Sequence, residues 1–159
     1  MNLERLEYIK SVNNHSGDWS YEAYRKGSYF PLNFKQGPGV EAHVAKLPAG
    51  ALILLSQTYQ DKRYLSHVVE IVNDATEDQP QWEDSDWGIV RWVKVIWAVE
   101  PSRAPLDADV LQVNWGYFDT KAKSIEGPNL IKHWKTPAAL KAHVLTALVE
   151  AEKRQLTLA

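Results

Sequence analysis

Apolar stretches broken by short polar turns dominate the middle of the chain. Residues 51–59, "ALILLSQTY", and 63–72, "RYLSHVVEIV", are rich in branched and aromatic side chains and are separated by "QDK". That pattern predicts an antiparallel hairpin. Residues 88–99, "GIVRWVKVIWAV", predict a long strand. Alternation puts Val90, Trp92, Lys94, Ile96 and Ala98 on one side of it. Ile89, Arg91, Val93, Val95, Trp97 and Val99 fall on the other. Large apolar residues on both sides predict a central strand covered on two faces.

The flanking regions are less regular. Residues 7–12 predict a first strand and residues 19–26 a short helix closed by Gly27. Residues 28–34 read as extended, with Pro31 favouring a sheet edge. "QGPG" at 36–39 is a turn. Residues 40–47 fit a short helix with Val40, Val44 and Leu47 on one side. Pro101 and Pro105 break the chain after the long strand. Residues 110–118 are a strand or an irregular segment, "EGPN" is a turn, and 129–134 read as a weak strand. The last element is the best marked. Thr136 is a good N-cap, Pro137 suits the first helical position, and Leu140, Val144, Leu148 and Ala151 form one stripe. Lys153 and Arg154 suit the negative end of that helix. Strands joined mostly without intervening helices exclude a doubly wound fold. They favour α+β, a curled sheet or small barrel flanked by helices, as one domain over 1–159.

Composition narrows the chemistry. The chain has 159 residues, is 45% hydrophobic and 24% charged, and contains no cysteine. Disulfides, thiolate metal sites and thiol nucleophiles are excluded. No apolar run reaches the roughly 20 residues of a membrane span, and no signal-peptide pattern opens the chain, so the expected location is cytoplasmic. The net charge of −2 conceals an asymmetry. Residues 73–87 hold six carboxylates and no Lys or Arg, which leaves the remainder at +4. A basic face is compatible with that balance, whereas indiscriminate coating of nucleic acid is not.

Most familiar site motifs are missing. His15, His43, His67, His133 and His143 lack metal-ligand spacing, and the acidic segment lacks a calcium-loop pattern. No phosphate-binding glycine motif and no nucleophile elbow are present. The seven tryptophans are more informative. Trp92 and Trp97 read as packing residues of a central strand. Trp19, beside Gly17 and Asp18, sits where a loop would present it, and Trp82 and Trp87 flank the acidic segment. Lys10 and Ser11 follow a strand end, a position that suits either a phosphate and a base edge or a solvated lysine and a turn-starting serine.

These features together resemble the EVE domain of the PUA-like superfamily, which includes the YTH and ASCH domains. The resemblance rests on "EYIKS" at 7–11 followed by "GDWSYEAYRKG", and on "YFPLNF" at 29–34. It continues through "GVEAHVAKLPAGALILLSQ", "YLSHVVEIVND" and "WGIVRWVKVIWAVE", and covers roughly residues 7–100. The family's Arg-Asn pair is reduced to Asn33, and of its Tyr-His-Ser strand end only Ser56 remains. The resemblance implies a small barrel with an aromatic pocket that accepts a flipped or single-stranded nucleobase, often a modified one, without a cofactor or metal. Lys10, Ser11, Trp19, Tyr21, Tyr29, Phe30, Asn33 and Ser56 would line that pocket, and Arg25, Lys26 and Lys35 would contact phosphates of DNA or RNA. Rings would stack on the base and fixed polar groups would satisfy its edge. Two other readings stand beside this one. ASCH-like relatives include amidohydrolases of modified nucleosides, which would need a carboxylate such as Glu70 beside Lys10. The acidic segment, flanked by tryptophans, would suit a basic protein partner or would shield the pocket until nucleic acid displaces it.

Overall fold

The computed structural model describes residues 1–13, 17–21, 24–78, 86–106 and 120–157. Six strands lie in one sheet: β1 (Leu6–Ser11), β2 (Tyr29–Phe34), β3 (Leu52–Tyr59), β4 (Lys62–Ile71), β5 (Ile89–Ala98) and β6 (Lys123–Ser124). Their spatial order is β2-β5-β4-β3-β1-β6. β1 and β3 run parallel, and every other neighbouring pair is antiparallel. Helix α1 (Val40–Ala45) precedes β3, while α2 (Pro128–Trp134) and α3 (Pro137–Thr157) follow β6. The fold is therefore α+β, a sheet curled into a half-barrel with a C-terminal helix, as the strand pattern implied.

Three bulges lie in neighbouring strands and redirect side chains. Glu7 is the extra residue of β1 against β3, since Leu6 pairs with Leu52 and Tyr8 with Ile53. Ser66 is extra in β4 against β3, and Ile96 is extra in β5 against β4. Each bulge bends its strand and increases the local twist, which curls the sheet. Each also moves the following side chains to the opposite face. Val93 and Val95 join one core, whereas Trp97 and Val99 join the other. The single face expected for Ile89 through Val99 is thus divided at Ile96.

The two cores cover the two faces of the sheet. On the α1 face, Val40 and Val44 pack with Phe30, Leu32, Phe34, Ile53, Leu55, Val69, Ile71, Val93 and Val95. On the α3 face, Leu140, Val144, Leu148 and Ala151 pack with Leu6, Ile9, Leu54, Leu65, Val68 and Trp97. The apolar stripe of the last helix lies as predicted, and its cap is also in place. The Ala139 N–H donates to Thr136 Oγ1 at 3.2 Å.

Several local expectations change. Residues 129–134 are helical within α2, with Pro128 in the first turn, and are not a strand. Among the described residues of 19–26 there is no helix, because the chain turns at Ser20 and Tyr21, and Tyr21 has a φ of 59°. The hairpin loop is two residues long. Gln60 and Asp61, with φ of 49° and 65°, supply the left-handed pair that a type I′ turn needs. His15, Trp82 and the 110–118 segment lie outside the described residues. Within those described, no helix is long and apolar enough to cross a membrane.

Candidate functional site

One tether fixes the geometry of the N-terminal aromatic residues. The Gln57 side chain accepts a hydrogen bond from the Ser20 N–H at 2.6 Å and donates to the Ser20 carbonyl at 3.3 Å. The turn held there sends its two flanking rings to different cores. Trp19 belongs to the α3 face, is only 4% exposed, and meets Tyr59 and Tyr64 edge-on at 5.7 and 5.9 Å. Tyr21 belongs to the α1 face. Trp19 is therefore a packing residue and does not share a wall with Tyr21, contrary to the expectation that a loop would present it.

Around Tyr21 the structure gathers rings and polar groups. Phe30 lies 4.4 Å from the Tyr21 ring and stacks on Tyr24 at 4.7 Å. The Tyr21 hydroxyl donates to Asn33 Oδ1 at 3.2 Å and accepts from the Asn33 N–H at 3.3 Å. That backbone donor is free to turn outward because β2 is an edge strand. Asn33 Nδ2 in turn donates to the Trp87 carbonyl at 3.0 Å. Burial pushes the Tyr21 phenol up to about 12, with a smaller contribution from Tyr24, so it stays a neutral donor.

His67, from β4, backs this network. Its Nε2 lies 3.3 Å from the Tyr21 carbonyl, and its Nδ1 lies 2.9 Å from Ser66 Oγ. A carbonyl can only accept, so Nε2 carries the proton and Nδ1 accepts from the serine hydroxyl. Burial lowers the imidazole to about 4, and the Arg25 charge acts in the same direction. His67 is therefore neutral at physiological pH. Ser66 and His67 are both buried, so this hydroxyl–imidazole pair is not open to a substrate.

Lys10 completes the group from β1. Its side chain is fully buried, which is unusual for an ammonium. Nζ donates to the Ser11 carbonyl at 3.1 Å and lies 4.8 Å from the Phe34 ring centroid and 5.7 Å from that of Trp87. Aromatic faces offset part of the lost hydration. Ser11 stands opposite Ser56 in the β1–β3 pairing, and the Val12 N–H binds the Ser56 carbonyl at 2.8 Å.

Of the residues expected to share a pocket, the structure brings Lys10, Tyr21, Phe30 and Asn33 to the α1 face, with Ser11 at the end of β1 and Ser56 opposite it within β3. It leaves two apart. Trp19 is on the other face, and Tyr29 is 56% exposed on the edge strand, with Lys94 Nζ 5.8 Å from its ring. Arg25, Lys26 and Lys35 are exposed. The first two precede β2 and the third follows it, so they stand at opposite ends of that strand. The Lys10–Glu70 pair needed for hydrolysis is not formed. Glu70 alternates with Val69 and Ile71 of the α1 face and pairs across the sheet with Lys94.

Sequence reading overlooked the site roles of Phe34, His67 and the Arg91–Asp78 pair, and noted Tyr24 as one of the N-terminal rings without placing it in the pocket. Arg91 Nε donates to Asp78 Oδ2 at 2.9 Å, and Arg91 also donates to the carbonyls of Val44, Leu47 and Asn73. It thereby caps the end of α1 and anchors the start of the acidic segment. Asp78 is thus a buried structural residue, whereas Asp74, Glu77 and Asp86 are exposed. An arginine on the side of the strand otherwise filled by Ile89, Val93, Val95, Trp97 and Val99 was the available signal, because such a charge requires a partner. No family model, curated protein or solved structure matches the chain.

Proposed function

We propose that the chain is a nucleic-acid-binding module of the EVE type, which reads one nucleobase, modified in its natural target, on the α1 face. Support comes chiefly from a single observation: the buried Lys10 amine, two rings beside it and the Tyr21–Asn33–Trp87 hydrogen-bonded chain converge at the ends of β1 and β2. A base needs those three kinds of partner. The half-buried Trp87 offers a ring face, Asn33 and the neutral Tyr21 phenol offer fixed polar groups, and Lys10, buried against Phe34 and Trp87, acts through its charge rather than by contact. Ser11, partly exposed at the end of β1, adds a hydroxyl, while Ser56 is buried opposite it within β3. Trp19 and Tyr29 drop out of the pocket, while Arg25, Lys26 and Lys35 remain as phosphate contacts on the exposed rim. The partner is DNA or RNA.

The test is a titration with short single-stranded oligonucleotides carrying one methylated base, the unmodified base or an abasic site, followed by tryptophan fluorescence. The expected result is tighter binding of the methylated strand, abasic strands binding weakest, and affinity falling as salt rises. A buried methyl adds about 0.8 kcal/mol, so discrimination of a few-fold is expected. Equal affinity for methylated and abasic strands would overturn the reading.

A further inference from the structure

A hollow lies where α1, β6 and α2 meet. It has a volume of about 370 Å³ and is lined by His43, Lys121, Ala122, Lys123, Pro128 and Leu130, among others. That size is within the range of small-molecule sites. Ala122 and Leu130 are buried and give it an apolar interior, while Lys121 and Lys123 are exposed at its rim. His43 Nε2 lies 2.6 Å from the Ala122 carbonyl and must carry a proton there. That bond ties α1 to the segment leading into β6 and holds the two walls together.

Charge gives the hollow a direction. Its titratable lining groups are His43, Lys121 and Lys123, and among the described residues no carboxylate lines it. The neighbouring hollow, on the other side of Ser124, has the opposite character. Glu4, Glu7 and Glu126 line it together with Lys141. In a chain of net charge −2, a carbon-walled cavity whose charged lining side chains, among the described residues, are Lys121 and Lys123 selects against cations and for an anion.

We propose that this hollow binds a small organic carboxylate with an apolar, ring-sized body. The ring would occupy the space beside Ala122, Pro128 and Leu130, and the carboxylate would meet the lysine amines at the rim. A free phosphate or a nucleic-acid backbone lacks the apolar part that the interior would bury. The hollow shares no lining residue with the Lys10 group, so this proposal and the nucleobase reading stand or fall separately.

The test compares benzoate, benzyl alcohol and benzylamine on the full chain, following backbone amide NMR signals of residues 121–124, 127, 129 and 130. Benzoate should shift these signals saturably in the millimolar range, benzyl alcohol should bind at least about tenfold more weakly, and benzylamine should leave them in place. The paired change Lys121→Glu and Lys123→Glu should reverse the order of benzoate and benzylamine. Both lysines are exposed, so the fold should tolerate the change, and the three-probe comparison on the natural chain decides without it. Equal response to the three probes, no saturable shift with benzoate, or an order unmoved by charge reversal would each overturn the proposal.

Discussion

His67 carries the pH dependence that the fold makes visible. Its ring is held near 4 in the folded protein against 6.5 in an unfolded chain, mainly by burial. As pH falls below about 6.5, the unfolded chain takes up a proton that the folded chain refuses. The stability associated with the neutral ring is therefore complete above that value and is lost as pH falls toward 4. The expected loss is about 2 kcal/mol between pH 7 and pH 5. Urea unfolding at the two pH values checks it, with His67→Gln as the comparison, since that variant should lose less on acidification. Arg91 supports a second residue-scale prediction. Arg91→Met leaves the Asp78 carboxylate buried without its partner and should cost about 3–5 kcal/mol in urea unfolding at neutral pH. Adding Asp78→Leu should recover much of that loss, because the orphaned charge is then gone. If the double variant were no more stable than the single one, the carbonyl bonds of Arg91 to α1 would be the larger contribution.

Among the elements, those specified by adjacent residues were the ones legible in the sequence. The hairpin of β3 and β4 follows from two apolar runs and a polar break. The last helix follows from Thr136, Pro137 and a regular stripe. Elements fixed by distant partners were not legible. The turn at Ser20 is held by Gln57, 37 positions along the chain. Nothing near Trp19 indicates that the two rings on either side of Ser20 diverge to opposite faces. The bulges at Glu7, Ser66 and Ile96 leave no mark in an alternating pattern, so Trp97 was placed on the wrong side of β5. α2 is only seven residues long, too short for periodicity to outweigh its Ile and Trp content. The site was legible in part for the same reason. Lys10 follows from its strand-end position and Asn33 from the resemblance to the EVE domain, but His67 and Phe34 join them only through sheet register. The hairpin loop yields a prediction at this scale. Gln60 and Asp61 both occupy left-handed backbone, which is unfavourable for side-chain-bearing residues other than Asn and Asp. Replacing the pair by Asn-Gly should stabilise the protein by about 1 kcal/mol and raise its melting temperature. A drop in melting temperature would show that the Gln60 side chain makes a compensating contribution.

At the scale of the whole molecule, the sheet assigns different tasks to its two faces. The α3 face is closed by a long helix whose apolar stripe lies on Leu6, Leu54, Val68 and Trp97. Among the described residues, the α1 face is covered by a six-residue helix and the turns that hold Tyr21 and Trp87. Polar side chains with defined geometry, Lys10, Asn33 and His67, collect on the second face, where a short cover leaves the strand ends to loops. Two tryptophans therefore test the proposed division between stability and recognition. Trp19→Ala removes a large ring from a closed core and should cost about 3–5 kcal/mol in urea unfolding. Nucleobase discrimination by the folded fraction should survive it. Trp87 is half-buried at the other face, so Trp87→Ala should be less destabilising. It should nevertheless weaken binding of the methylated strand about tenfold or more, in keeping with the loss of one stacked ring. Measuring both properties on both variants gives a crossed pattern if recognition resides on the α1 face. The opposite result, with binding lost in Trp19→Ala and retained in Trp87→Ala, would move the site to the α3 face. There Trp19 meets Tyr59 and Tyr64, and the Lys10 group would then serve only to hold the ends of β1 and β2 together.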